Sequence, residues 1–141
     1  MKQWVLLIYK IPSKPTSSRV YIWRKLKRLG AVLWHDAVWI LPATPKTMEH
    51  LQWLAAEIME LKGEAQVWKA DTLLFRQEES LIHQFKEQAD ETYKGILEEL
   101  SKPGADFAAL SRMYQHAVQQ DFFHSETGKQ VRELLLQVRG G

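Results

Sequence analysis

The sequence predicts an α+β fold in which a first half of four strands and two helices precedes a helical second half. A continuous apolar run with β-branched residues occupies residues 4–11 and is typical of a buried strand. Apolar residues then recur at intervals of three and four in two segments of the first half, and through nearly all of the chain after Asp71. That spacing is typical of amphipathic helices.

Local signals define the ends of the elements in the first half. Ser17 or Ser18 is expected to cap the first helix and Gly30 to end it, because serine is a common N-cap and glycine commonly follows the last helical turn. Thr44 is expected to cap the second helix, with Pro45 at its first position. The predicted strands are residues 4–11, 31–35, 38–41 and 65–68.

This order of elements predicts two domains. The succession β-α-β-β-α-β within about 70 residues is the split βαβ, ferredoxin-like arrangement, which we assign to residues 1–71. Residues 72–141 are predicted to form a C-terminal helical hairpin or bundle packed on that domain. The apolar stripe breaks at Pro103, Asp106 can cap a second helix, and a third follows Ser125. Short connections of this kind favour antiparallel helices.

Composition excludes several classes of function. The chain has no cysteine, so disulfides, thiolate metal sites and a cysteine nucleophile are excluded. The longest apolar run, residues 4–9, is far shorter than the ~20 residues of a membrane span, and no small-residue cleavage site follows it. We therefore expect a cytoplasmic protein with no membrane partner.

Charge is distributed unevenly along the chain. Residues 1–71 carry 11 Lys/Arg against 6 Asp/Glu, whereas residues 72–141 carry 8 against 11. Before Asp36 there are eight cations and no acid. Such polarity indicates an anionic partner for the N-terminal part.

The first helix contains most of these cations, in the stretch SSRVYIWRKLKRLG. At about 100° per residue, Ile22, Trp23, Leu26 and Leu29 are predicted to face the core. The other side displays cations with no acid, although polar faces of this kind often serve only solubility. Single-sign patches are typical of phosphate contact. The residues predicted to bind DNA are Lys14, Arg19, Tyr21, Arg24, Lys25, Lys27 and Arg28, of which Tyr21 would pack on a sugar or base.

Catalytic and metal-binding patterns are weak. The five histidines show no i,i+4 pair, so no metal site is predicted. His35 and Asp36 could form a general-base pair, but they lie beside a tight turn predicted at Asp36 and Ala37, where aspartate is common. Four of the six tryptophans lie in predicted strands; those on the open sheet face are expected to bury against the C-terminal helices or a second subunit. We predict no catalytic residue, cofactor or enzyme activity.

A string of linked motifs covers nearly the whole chain. P-x-K-P at residues 12–15 precedes W-R-x-L-K-x-L-G at 23–30 and G-A-x-x-x-x-D-x-V-x-x-L-P at 30–42, and Asp-Phe-Phe follows at 121–123. Together they resemble the N-terminal domain of the ChrB chromate-resistance regulators. More distantly, the helix-hairpin region resembles the middle domain of the PaaX repressor and the CRISPR adaptation nuclease fold.

The resemblance implies a transcription regulator that binds operator double-stranded DNA as a homodimer, with chromate oxyanion as effector. Full-length members continue into a C-terminal domain. Without cysteine, only oxyanion binding by Arg or Lys could detect chromate here. Two alternatives remain: a metal-dependent nuclease of the CRISPR adaptation type, and a protein-interaction module with no nucleic-acid role. In that nuclease family the first strand ends in a metal-binding Asp, and Lys10 at the equivalent place cannot ligate a cation.

Overall fold

The structure, a computed structural model, describes residues 3–36 and 38–140 and confirms the α+β class. The elements are β1 (Gln3–Lys10), α1 (Thr16–Arg28), β2 (Val32–Trp34), β3 (Val38–Pro42), α2 (Pro45–Glu60), β4 (Glu64–Asp71), α3 (Phe75–Leu100), α4 (Phe107–Gln119) and α5 (Glu126–Gly140). The chain divides into two compact units, Met1–Glu78 and Glu79–Gly141. The predicted domain boundary at 71 and the packing of the helices on the first domain stay predictions.

The strands form one antiparallel sheet in the order β2-β3-β1-β4. Central β1 pairs with both β3 and β4, so that Leu7 lies opposite Trp39 on one side and Val67 on the other. Residues directly opposite each other share a face of the sheet. The register therefore places Trp4, Trp34 and Trp68 on one face and Trp39 on the other.

The first unit has a core built from its sheet and both of its helices. The fully buried side chains include Val5, Leu7 and Leu41 from the sheet, Ile22 and Leu26 from α1, and Leu51 and Ile58 from α2. Helix α2 packs on β1 and β4. The turn after α2 passes so close to the end of β1 that a Cβ on Gly63 would lie 2.6 Å from the carbonyl oxygen of Lys10.

The helix ends confirm some of the predicted caps. Thr44 caps α2 by accepting the backbone N–H of Thr47, and the Thr47 hydroxyl in turn accepts the backbone N–H of Thr44. Asp106 caps α4 by accepting the N–H of Ala109. Gly30 follows α1 with φ of +83°, in the left-handed region that glycine adopts without steric cost.

Two expectations for α1 are wrong. The helix begins at Thr16 with Pro15 as N-cap and no side-chain cap, so Ser17 and Ser18 lie inside the first turn; Pro15 itself sets the extended entry to the helix. Trp23 is 50% exposed and not in the core. Ile22 and Leu26 occupy the centre of the buried stripe, and a residue 100° from Ile22 on the helix lies at its margin.

The hairpin turn includes His35 and Asp36, both with positive φ, at 52° and 57°. The predicted turn residue Ala37 lies outside the described residues. His35 packs edge-on against Trp34 with ring centroids 5.0 Å apart. Nothing pairs His35 with the Asp36 carboxylate among the described hydrogen bonds, so the general-base pairing finds no support.

The second unit is an all-helical core around Tyr93, Ile96, Leu110 and Val131. The Tyr93 hydroxyl donates to the Asp121 carboxylate at 3.0 Å, and burial together with that carboxylate raises the pKa of the tyrosine. Asp121 also accepts the backbone N–H of Ser125. These bonds fix the connection between α4 and α5.

Candidate nucleic-acid interface

The outer surface of α1 carries the predicted contact residues. Arg19, Arg24, Lys27 and Arg28 are exposed on it, and Lys14 is exposed in the loop before the helix. Among the described residues, Arg19, Arg24 and Arg28 form no ion pair. We call the exposed side chains of Arg19, Arg24, Lys27 and Arg28 the basic surface.

Lys25 is the exception within the predicted set. Its Nζ donates to the Glu57 carboxylate of α2 at 2.9 Å. Hydrogen bonds to Tyr21 and Glu57 raise the pKa of Lys25. Burial would raise the pKa of Glu57, but hydrogen bonds from Lys25 and Tyr21 outweigh it and hold that pKa below its usual value. The prediction that the cations of α1 have no acid beside them is therefore wrong at Lys25, because Glu57 of α2 binds it.

Two aromatic rings lie among the cations. Tyr21 is 44% and Trp23 50% exposed. The Lys25 ammonium lies 5.1 Å from the Tyr21 ring centroid, and the Lys27 ammonium lies 5.9 Å from that of Trp23. Lysines at this distance are attracted to the ring faces. Cations interleaved with exposed rings can bind phosphates and pack on sugars or bases.

A cavity of about 280 Å³ adjoins the basic surface, between α1 and α2. Lys25 and Arg28 line it from α1; His50, Trp53 and Glu57 line it from α2. Trp53 is 67% exposed. Trp53 is not among the predicted site residues. Its position outside the apolar stripe of α2 could have indicated that the side chain is exposed.

Features outside α1 also bear on the alternatives to DNA binding. Lys10 ends β1 and approaches Glu64 of β4 at 3.6 Å, with both side chains largely exposed. Within residues 3–36 and 38–140 no three His, Cys, Asp or Glu side chains are grouped to hold a metal ion.

The tryptophans of the sheet differ in exposure: Trp68 is 55% exposed, whereas Trp4 and Trp39 are buried. Of the helices described, none combines the length and apolar character that a membrane crossing requires.

Comparison with known proteins gives one consistent result. The family model described as Protein ChrB, N-terminal, matches residues 19–120, from the basic helix to the end of α4. Protein ChrB of Cupriavidus metallidurans is 34% identical over 65 residues, which are 46% of this chain and 19% of that protein. The match thus covers about a fifth of the length of this relative. These findings confirm the resemblance stated from the motifs.

Proposed function

The chain belongs to the ChrB N-terminal family, and from this premise we propose that it is a regulator of a chromate-resistance operon that binds double-stranded DNA through α1. The proposed contacts are Lys14, Arg19, Tyr21, Arg24, Lys25, Lys27 and Arg28. The family is one of regulators, which fits a protein without catalytic activity. Its proposed location is the cytoplasm.

The unpaired arginines of the basic surface carry the proposal. A surface helix that serves solubility gains from pairing opposite charges three or four residues apart. A helix of the second unit does so: Lys129 meets Glu126 at 3.2 Å in α5. Among the described residues, α1 has no acid of its own, and its ion pair is made with α2. A surface of one sign is suited to a polyanion.

The contacts proposed are to phosphates. Arg24 and Arg28 are one helical turn apart, and guanidinium groups bind phosphate oxygens with two parallel hydrogen bonds. Tyr21 and Trp23 provide rings for sugars or bases. None of these side chains implies a particular base sequence, since phosphate contacts position a protein without reading the sequence.

A ferredoxin-like first domain is part of the proposal. The element order β-α-β-β-α-β and the strand order β2-β3-β1-β4 support it, as does the helix pair that packs with the sheet. Such a domain would present α1 on its outer surface. We also propose a homodimer, which would place two basic helices on one duplex.

Fluorescence anisotropy with the duplex upstream of the chromate-resistance genes tests DNA binding. We expect the Arg24→Glu, Arg28→Glu double variant to bind at least ~100-fold more weakly than wild type and to lose part of the salt dependence, because phosphate contacts release counterions. The matched control is Arg112→Glu with Arg132→Glu, which changes the charge equally on α4 and α5. Equal losses in both double variants would contradict contact through α1.

Chromate is the proposed effector, held as an oxyanion by arginine or lysine. In the same assay we expect chromate to release the duplex at concentrations where sulfate, an oxyanion of the same charge and shape, has no effect. Identical responses to chromate and sulfate would mean ordinary ionic screening and would remove chromate from the proposal while leaving DNA binding intact.

A further inference from the structure

A second cavity, distinct from the one beside Trp53, lies at the end of the sheet. It has a volume of about 300 Å³, at the lower end of the range for small-ligand sites. Tyr9, Lys10, Ile11, Arg19, Trp23, Leu33, Asp36 and Trp39 line it. Strands β1, β2 and β3, the hairpin turn and the first half of α1 therefore all contribute, and every contributor belongs to the first unit.

Three charged side chains line this cavity: Lys10, which approaches Glu64 at 3.6 Å, and Arg19 and Asp36. Arg19 and Asp36 both line it, yet neither forms an ion pair with any residue in the described ranges. A ligand that fitted between them would carry an anionic group for the guanidinium and a hydrogen-bond donor for the carboxylate. A fully deprotonated oxyanion such as sulfate has no donor for Asp36, so the two side chains favour a molecule that carries an anionic group and a separate hydrogen-bond donor.

Apart from Lys10, Arg19 and Asp36, the side chains that line the cavity are aromatic or aliphatic. Trp23 is 50% exposed and Leu33 37% exposed, whereas Trp39 is buried. Burial raises the pKa of Tyr9, an effect that its hydrogen bond with Trp39 and the charge of Arg19 only partly offset. Tyr9 therefore lines the cavity as a hydrogen-bonding phenol. Walls of this kind favour a flat ring, which gains dispersion and stacking energy against indoles.

The turn that presents Asp36 is strained. Asp36 has φ of +57° and its neighbour His35 has φ of +52°. Non-glycine residues are uncommon in this region of backbone conformation, and such residues cluster at ligand sites. This turn presents Asp36 at the cavity that its side chain lines.

We infer that this cavity binds one nucleotide unit whose base carries an exocyclic amino group, with its phosphate on Arg19 and its amino group donating to Asp36. Trp23 would pack on the base. The inference deepens the proposed function and rests on it, because α1 supplies both this cavity and the basic surface. The nucleotide could be free in solution or an unpaired nucleotide at the end of a DNA strand; the chemistry recognised is the same.

Isothermal titration of the full chain with AMP, CMP, GMP and UMP tests the inference. We expect saturable binding of the first three and binding of UMP at least ~10-fold weaker, since uracil has no exocyclic amino group to donate to Asp36. Asp36→Asn should remove the preference against UMP, and asparagine tolerates the left-handed backbone at this position. Arg19→Ala should weaken every monophosphate but leave the weak binding of adenosine unchanged.

The source of the nucleotide is tested with two duplexes of equal length and charge. One carries a single unpaired adenosine at an end and the other an unpaired thymidine, and both are compared by anisotropy. If only a strand end is recognised, the adenosine duplex binds more tightly in wild type and equally in Asp36→Asn, while the free monophosphates do not bind. Arg24→Ala is the control outside the cavity: it should weaken both duplexes and leave mononucleotide binding unchanged.

Two results would overturn the inference. One is the absence of any base preference, in free nucleotides and in strand ends alike. The other is a preference that survives in Asp36→Asn. The comparison of free monophosphates can be read even if the protein binds no duplex; failure of the proposed function would appear instead as loss of binding to a blunt duplex.

Discussion

The Glu57 carboxylate of α2 offsets the positive charge of Lys25 on α1. The carboxylate lies 2.9 Å from the ammonium and 32 positions away in sequence, so no local pattern could have predicted it. The side chains are 37% and 31% exposed, and pairs this accessible contribute little to stability, at most ~1 kcal/mol. Their larger effect is on the charge that α1 offers to a polyanion.

Glu57→Gln should therefore strengthen DNA binding. The substitution keeps the shape and releases the Lys25 ammonium, so we expect an affinity several-fold higher and a salt dependence steeper by about one counterion. Anisotropy titrations at several salt concentrations measure both. Glu60→Gln, an exposed neighbour without an ion pair among the described residues, is the control for the change of net charge. A gain as large in the control would show that Lys25 is not a contact.

The same pair predicts a pH dependence of stability. The pKa of Glu57 is lowered in the folded protein, so its contribution is present above the pKa of the unfolded chain and is lost as pH falls through the lower folded value. Wild type should lose up to ~1 kcal/mol more than Glu57→Gln between about pH 5 and pH 3. Urea unfolding at each pH measures the difference, and parallel curves for the two proteins would contradict it.

Among the helices and strands, the type of each element follows from the periodicity of apolar residues in the sequence. The length of a strand that is set by pairing with its neighbour does not. Strand β4 runs from Glu64 to Asp71, twice the predicted length, because it pairs along the whole of β1. Its charged ends hide that extension from a pattern of apolar residues. The prediction that Trp23 faces the core is wrong for a related reason. The position of a residue around a helix gives the direction of its side chain, but not how much of the helix surface the sheet buries.

A pair of glycines tests the packing of these elements. At Gly63 a Cβ would lie 2.6 Å from the Lys10 carbonyl and 2.8 Å from Ile58 Cγ2, so Gly63→Ala should destabilise the first unit by about 1–3 kcal/mol. Gly95 lies exposed in α3, where an added Cβ would meet no neighbouring atom within 4 Å. Gly95→Ala should stabilise the protein by about 0.5–1 kcal/mol, the helix-propensity difference. Chemical unfolding measures both changes, and the same sign in the two variants would contradict this account of the α2–β4 turn.

At the scale of the whole molecule, the cations are concentrated in the first half of the chain and the acids in the second. This asymmetry is evident in the sequence, and it predicts an anionic partner for the half of the chain that contains α1. What the sequence could not supply was the set of residues around each candidate site. Arg19 and Asp36 line one cavity only because the hairpin turn and the N-terminal part of α1 lie at the same end of the sheet.

DNA binding by the first unit should be visible as a change in the stability of the protein. A ligand that binds only the folded state raises the free energy of unfolding by RT ln(1 + [L]/Kd), about 2.7 kcal/mol at 100 times Kd. For a protein of this size we expect the Tm to rise by about 5 to 10 °C with saturating duplex at low salt. The rise should disappear at high salt, where the phosphate contacts weaken, and in the Arg24→Glu, Arg28→Glu variant. Scanning calorimetry measures it, and a rise that persists in that variant would mean that DNA is held by a surface other than α1.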